Sequence, residues 1–247
     1  MSQKVAVVTG AARGIGKAIS YKLLQDEFSV VGADISHKGL IETAEEFSKA
    51  GFSFTPFEAD LTSIDNVTGL FEQVAKGHSG LDVLVNNAGT CFLTDFVEIS
   101  PAEFRQQMAI NFDSAFYCCQ KAIPLMLERP GIKKIVNISS NGAYNFEVFD
   151  PAHYRTSKAA LDTLTKHLAR QYANQGITVN SIAPAMTETD LFDTVTPDIL
   201  EKAIAGMPHG KPMQPSEIAA WVSFLVSPAG DCSSGNVIIL NQGRDVR

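Results

Sequence analysis

The stretch Val5-Ala6-Val7-Val8-Thr9-Gly10-Ala11-Ala12-Arg13-Gly14-Ile15-Gly16 decides the fold. Its apolar run reads as a buried strand, its glycines as a tight turn, and Ile15, Ile19 and Leu23 as the stripe of a helix. Strand, glycine turn and helix in immediate succession form a dinucleotide cradle. The glycines allow positive φ and close backbone approach, and the helix start offers free N–H groups to a diphosphate. Asp34 lies 18 residues beyond Gly16, at the end of the next apolar run, where a carboxylate meets a ribose.

Outward from this unit, short apolar runs recur at Ser29–Ala33, Phe52–Phe57, Leu81–Val85, Ile135–Ile138, Ile177–Ile182 and Val237–Leu240. Segments of helical spacing separate them. Strands that are near-continuously apolar and alternate with helices predict an α/β fold: a doubly wound sheet of about seven parallel strands, helices on both faces. Ser100-Pro101-Ala102-Glu103 reads as N-cap, first-turn proline and capping-box glutamate, with Phe104, Met108, Phe112, Ala115 and Cys119 on one face. Asp150-Pro151 opens a second helix, carrying Leu161, Leu164, Leu168 and Tyr172 and ended by Gly176. No linker or repeat divides residues 1–247, so one domain is expected, with 187–215, rich in proline and glycine, as a flap holding a short helix near Pro197–Ala205.

Composition narrows the class. The chain is 45% hydrophobic and 19% charged, as in ordinary globular proteins. A net charge of −7 disfavours nucleic acid as a partner. No apolar run is long enough for a membrane span or a leader, and a cytoplasmic location is the default expectation. Cys91, Cys118, Cys119 and Cys232 have neither metal-ligand nor redox spacing and read as buried thiols; no metal is expected.

The glycine spacing is GxxxGxG, and the later motifs extend it. Asn86-Asn87-Ala88-Gly89 follows the fourth strand, Asp60-Leu61 the third, Ser139-Ser140 the fifth, and Tyr154-x3-Lys158 stands on the long helix. In this order, over nearly the whole chain, they resemble the short-chain dehydrogenase/reductase family. The resemblance implies a single-domain Rossmann-like fold and hydride transfer between a nicotinamide cofactor and a secondary alcohol or ketone. It implies cofactor contacts from Gly10, Arg13, Gly14, Ile15, Gly16, Asp34, Ile35, Asp60, Leu61, Asn87, Ala88, Gly89, Ile110, Tyr154, Lys158, Pro184, Thr187 and Thr189. A homotetramer or homodimer is implied in the same way.

Tyr154 and Lys158 share a helix face. Removing the hydroxyl proton during hydride transfer needs a base, and a tyrosine of pKa about 10 is a poor one at neutrality. A neighbouring ammonium is worth about 4 kcal/mol at intermediate dielectric, enough to bring the phenol near neutrality. The resemblance gives Lys158 a second role, holding the nicotinamide ribose. It makes Ser140 the donor to the substrate oxygen, though the 14 residues to Tyr154 are one more than usual and Ser139 competes. Asn111 matches a proton-relay anchor, with an ordinary buried amide as the alternative.

Asp34 favours NAD over NADP, because a carboxylate repels a 2′-phosphate; Arg13 pulls the other way. Pro184-Ala185 and Asn241-Gln242-Gly243 depart from the family's Pro-Gly and Asp-Gly-Gly. Candidates for the substrate pocket are Phe92, Asn141, Tyr144, Phe149, His153, Met186 and Phe192, and no Arg or Lys evidently faces it. Two rivals remain: a non-oxidative enzyme of the same fold, such as an epimerase or dehydratase with bound NAD, and a non-catalytic NAD(H)-binding redox sensor.

Overall fold

Seven strands pair in parallel in the order β3-β2-β1-β4-β5-β6-β7. The structure is a computed structural model that describes residues 3–145, 151–190, 192 and 195–245. Along the chain run β1 (Val5–Thr9), α1 (Gly14–Gln25), β2 (Ser29–Asp34), α2 (His37–Lys49), β3 (Phe54–Glu58), α3 (Ile64–Gly77) and β4 (Val83–Asn86). They are followed by α4 (Pro101–Met108), α5 (Ser114–Leu127), β5 (Lys133–Ile138), α6 (Ala152–Tyr172), β6 (Ile177–Pro184), α7 (Pro197–Ala205), α8 (Pro215–Val226) and β7 (Val237–Leu240). All seven expected strands are present, and the short helix of the flap has the expected bounds.

Alternation along β1 divides the core. Ala6 and Val8 face one layer, with Ile19 and Leu23 of α1 and Ile218 and Val222 of α8. Val5 and Val7 face the other, with Val67 and Leu70 of α3 and Cys118 and Ala122 of α5. Among the described residues, no helix is long and apolar enough to cross a membrane.

The sheet order reverses between β1, which pairs with β2, and β4, which pairs with β5. Crossovers leave this point on opposite faces, so a crevice opens beyond the carboxyl ends of the strands.

Three expectations need correction. The helix from Pro101 is not continuous: a π-helical turn at Ala109–Asp113 separates α4 from α5. The wider turn rotates α5 relative to α4, so Ala115 and Cys119 are buried while Phe104 is 44% exposed. The capping box is half formed: Ser100 Oγ accepts from Glu103 N (3.1 Å), but the Glu103 carboxylate meets His153 Nε2 (3.0 Å) instead of turning back. For α6, Pro151 is the N-cap; Asp150 lies outside the described residues. Gly176 stops the chain after α6 at φ +72. Of the thiols, Cys91, Cys118 and Cys119 are buried but Cys232 is exposed, on the turn before β7.

Candidate active site

The glycine loop shows why its sequence is so restricted. Gly10 and Gly14 sit at φ +65 and +55. Gly16 is ordinary in φ, but a Cβ there would lie 2.0 Å from Gly10 O. Gly16 therefore does not line the cleft as expected of a cofactor contact; it lets α1 press against its own loop. Arg13, the N-cap of α1, makes no side-chain cap, which leaves the helix start to a ligand. Asn87 Nδ2 donates to Thr9 O (3.0 Å) and Gly10 O (3.2 Å), and Thr9 Oγ1 accepts from Asn87 N and Ala88 N, tying the β4 loop to the glycine loop.

At the tip of β2, Asp34 Oδ2 accepts from Ala12 N (3.0 Å) and Oδ1 from Ser36 N (2.9 Å). Asp60 is folded onto Thr62, whose N and Oγ1 both donate to Oδ1. Arg13 lies 3.2 Å from Asp190 of the flap, both well exposed. These groups border one cleft of about 1300 Å³ with Gly10, Gly14, Ile15, Ile35, Leu61, Ala88, Gly89, Ile110, Pro184, Thr187 and Thr189. A glycine-rich turn, an open helix start and a ribose-height carboxylate at one end of one cleft fit a dinucleotide.

At the other end stand Ser140, Tyr154 and Lys158. One helical turn separates the last two, and Lys158 Nζ lies 6.0 Å from the Tyr154 ring centroid. Lys158 Nζ donates to Ile138 O (2.9 Å). Burial lowers the Lys158 ammonium to about 8, while Asp162 and Cys91 hold it up. The two serines part ways: Ser139 Oγ donates to Asp162 Oδ2 (2.8 Å), whereas Ser140 Oγ accepts from Gly142 N (3.1 Å). Asn111 lies in the π turn, and its amide clasps the Thr90 backbone through both N (2.8 Å) and O (2.9 Å) and reaches Ser157 Oγ (3.1 Å). Its side chain is thus a buried clamp on the loop that carries Gly89. Gln107 assists, with Nε2 on Thr90 O and Oε1 on Phe92 N.

Phe92, Met186 and Phe192 line the cleft as expected. Asn141, Tyr144 and His153 do not, because each is engaged in the interior. Asn141 Oδ1 accepts from Asn145 Nδ2, Tyr144 OH donates to Asp162 Oδ2 (2.9 Å), and His153 pairs with Glu103. Phe149 lies outside the described residues. Glu103 itself borders the cleft, with Gln106 and Thr94. Ala185 at the family's glycine position is free of strain, since Glu27 and Gln242 are the non-glycine residues of positive φ among those described.

No sequence motif singles out Asp162. The residue is 2% exposed, and it accepts from Ser139, Tyr144 and Ser181 (2.6 Å). A carboxylate between Leu161 and Thr165, on the inward stripe of α6, is the signal that marks it.

The family model for enoyl-(acyl carrier protein) reductase matches residues 10–245. The 3-oxoacyl-(acyl-carrier-protein) reductase FabG of Staphylococcus aureus is 34% identical over 248 residues, covering 97% of each chain. A dehydrogenase/reductase from Sinorhizobium meliloti 1021 superposes with a TM-score of 0.92 at 29% identity, over 100% of this chain and 96% of that one. An actinorhodin polyketide ketoreductase variant, solved with NADPH, superposes at 0.91 with 29% identity, over 98% of this chain and 97% of that one.

Proposed function

The chain belongs to the short-chain dehydrogenase/reductase family of oxidoreductases, and from that premise we propose that it interconverts a secondary alcohol and a ketone with NAD(H). The observation that carries the reading is the buried Lys158 ammonium 6.0 Å from the Tyr154 ring, at the cleft end where Ser140 stands. Bound nicotinamide supplies the chemistry of accepting or giving the hydride. Tyr154 takes the carbinol proton in oxidation and returns it in reduction. Lys158 favours the phenolate by its charge and holds the nicotinamide ribose. Ser140 Oγ, an acceptor from Gly142 N, gives its own proton to the substrate oxygen as negative charge grows there. Asn111 fixes the Thr90 backbone with its side-chain amide, which supports a positioning role over a relay anchor.

Asp34 supports NAD over NADP, because its carboxylate is pinned by Ala12 N and Ser36 N at the ribose end of the cleft. Arg13, together with the NADPH-bound relative, favours the second reading, an NADP-dependent ketoreductase. Comparison of the two dissociation constants decides: a tighter NADP complex overturns the first. The remaining cofactor contacts are assigned to Gly10, Gly14, Ile15, Ile35, Asp60, Leu61, Asn87, Ala88, Gly89, Ile110, Pro184, Thr187 and Thr189 along the same cleft. At the substrate end, Phe92, Met186 and Phe192 offer apolar surface, and Glu103 is acidic. An uncharged substrate with an apolar group fits this lining better than an anionic one. We also read residues 1–247 as one domain acting as a homo-oligomer. Exposed Phe104, Phe116, Trp221 and Phe224 on α4, α5 and α8 support the assembly, which sedimentation tests.

The defining experiment is reduced-cofactor appearance from NAD or NADP over a panel of secondary alcohols, polyols and hydroxy acids, with Tyr154→Phe as the blank. A signal lost in the variant supports the dehydrogenase; turnover retained by the variant removes Tyr154 as the acid/base.

A further inference from the structure

The Asp162 carboxylate has no part in the chemistry above, yet the site is built around it. Three hydroxyls point at it from three places. Ser139 Oγ reaches it from the end of β5 at 2.8 Å, Tyr144 OH from the loop beyond Ser140 at 2.9 Å, and Ser181 Oγ from β6 at 2.6 Å. Ser181 also touches Asn137 O (3.2 Å) and Ser139 also touches Lys158 O (3.2 Å), so the ring closes onto β5 and α6. Asp162 lies one helical turn beyond Lys158, which in turn grips Ile138 O, the carbonyl just before Ser139.

A buried carboxylate is costly unless its oxygens are satisfied and a positive charge is near. Asp162 has both. Burial raises its carboxyl, and the three hydroxyls it accepts from, together with the Lys158 charge, work to hold it down. We propose that Asp162 is a positioning residue for this reaction: it draws Ser139, Tyr144 and the Lys158 turn of α6 into one arrangement, which aims Ser140 into the cleft and gives the Lys158 ammonium a buried counter-charge. The proposal rests on the reading of Tyr154 and Lys158 given above. A hydrophobic residue at this point of α6 would serve packing alone; it would leave Ser139, Tyr144 and Ser181 without their shared acceptor.

Charge gives the proposal a signature that packing lacks. The groups facing Lys158 are Tyr154 and Asp162 from α6 and Cys91 from the loop after β4. Those facing Asp162 are Lys158 from α6 and the Tyr144 phenol, which burial, reinforced by Asp162, pushes up. Burial lowers Lys158 and the Asp162 charge raises it, so removal of that charge brings deprotonation of the ammonium to lower pH.

The test is Asp162→Asn, which keeps volume and one acceptor. Turnover across pH, NADH affinity by fluorescence and thermal midpoint are measured beside the parent and Tyr154→Phe. The expected result is a kcat loss of about tenfold to a hundredfold, the scale that loss of a ligand's outer hydrogen-bond partner has at metal sites, with the alkaline fall of kcat moved toward neutral pH and NADH still bound. Parental kcat with an unmoved alkaline limb overturns the proposal. If Asp162→Asn fails to fold, the double variant Ser181→Ala/Tyr144→Phe takes its place. It withdraws two of the hydroxyls that hold the Asp162 carboxyl down, so kcat falls and the alkaline limb moves in the same direction as in Asp162→Asn; parental kcat with an unmoved limb overturns the proposal again. Turnover retained in Tyr154→Phe removes the underlying reading, a result distinct from a normal Asp162→Asn beside a dead Tyr154→Phe.

Discussion

Two aspartates, half-buried Asp82 and buried Asp162, stand at opposite ends of the same sheet. Asp82, at the entrance to β4, receives Val5 N (2.8 Å) and Arg129 Nη2 (2.7 Å) on Oδ2 and Arg129 Nε (3.3 Å) on Oδ1. Arg129 also donates to Ser79 Oγ and Gln3 O, so the guanidinium is enclosed. Asp162 stands near the carboxyl ends of β5 and β6, held by hydroxyls, with its cation one helical turn away at the cleft. The first arrangement is closed onto Gln3, Val5 and Ser79 of the chain itself. The second leaves its lysine facing a ligand. In a parallel sheet the crevice lies beyond the carboxyl ends, so a charge pair at the other end is free to be purely structural.

The comparison breaks if substitutions at the two ends do not separate. Tyr154→Phe should lower kcat by about 10²- to 10⁴-fold, the span of general acid–base catalysis. Its thermal midpoint and NADH affinity should stay near those of the parent, because only a hydroxyl is lost. Arg129→Ala should do the converse. It leaves half-buried Asp82 with Val5 N but without its cation and should cost up to about 3–5 kcal/mol of stability, the range for a fully buried pair, read by chemical denaturation. Cofactor affinity of the folded fraction should not change. A variant of Arg129 that binds NADH poorly while folded would show that the two ends are coupled.

A smaller effect sharpens the site end. Asp34→Asn removes the charge at the ribose while keeping an oxygen for Ala12 N or Ser36 N. The NADP dissociation constant should fall by about tenfold, or about 1.4 kcal/mol, and NAD binding should weaken. If NADP affinity stays unchanged, Arg13 has already settled the choice.

The half of the molecule around the glycine loop is legible in the sequence because steric demands there fall on single residues. Gly10 and Gly16 leave no room for a Cβ, Gly14 holds positive φ, and Asp34 comes at a fixed spacing. The catalytic end is legible in Tyr154 and Lys158, whose spacing alone puts them on one helix face. Ser139 and Ser140 cannot be separated by adjacency. That takes the position of Asp162, whose partners come from β5, β6 and the loop between β5 and α6. The π turn at Ala109–Asp113 is hidden for a related reason: Phe104, Met108, Phe112, Ala115 and Cys119 keep α spacing, and only contacts from Thr90 and Ser157 to Asn111 mark the wider turn. Asn141, Tyr144 and His153 lie close to Ser140 and Tyr154 in sequence, which suggests the pocket. Each instead bonds a neighbouring side chain: Asn145, Asp162 and Glu103 in turn.

The smallest expected effect compares strain at the two ends. Glu27 and Gln242 both hold positive φ, 65 and 58. Glu27 is exposed in the turn between α1 and β2, on the side of the sheet away from the cleft. Gln242 lies just after β7, and its amide reaches back to the segment after α7: Oε1 accepts from His209 N (3.1 Å) and Nε2 donates to Lys211 O (3.2 Å). A left-handed non-glycine residue costs about 1 kcal/mol, and glycine removes that cost. Glu27→Gly should therefore raise stability, by up to about 1 kcal/mol less the entropy that glycine adds to the unfolded chain. Gln242→Gly relieves the same strain but gives up two hydrogen bonds, worth about 1 kcal/mol each at most on an exposed surface. It should gain nothing, and the segment at His209 and Lys211 should exchange its amide hydrogens faster. Equal gains from the two substitutions would mean that the Gln242 amide does not hold that segment, and that strain at the cleft end of the sheet is no better used than strain at the other.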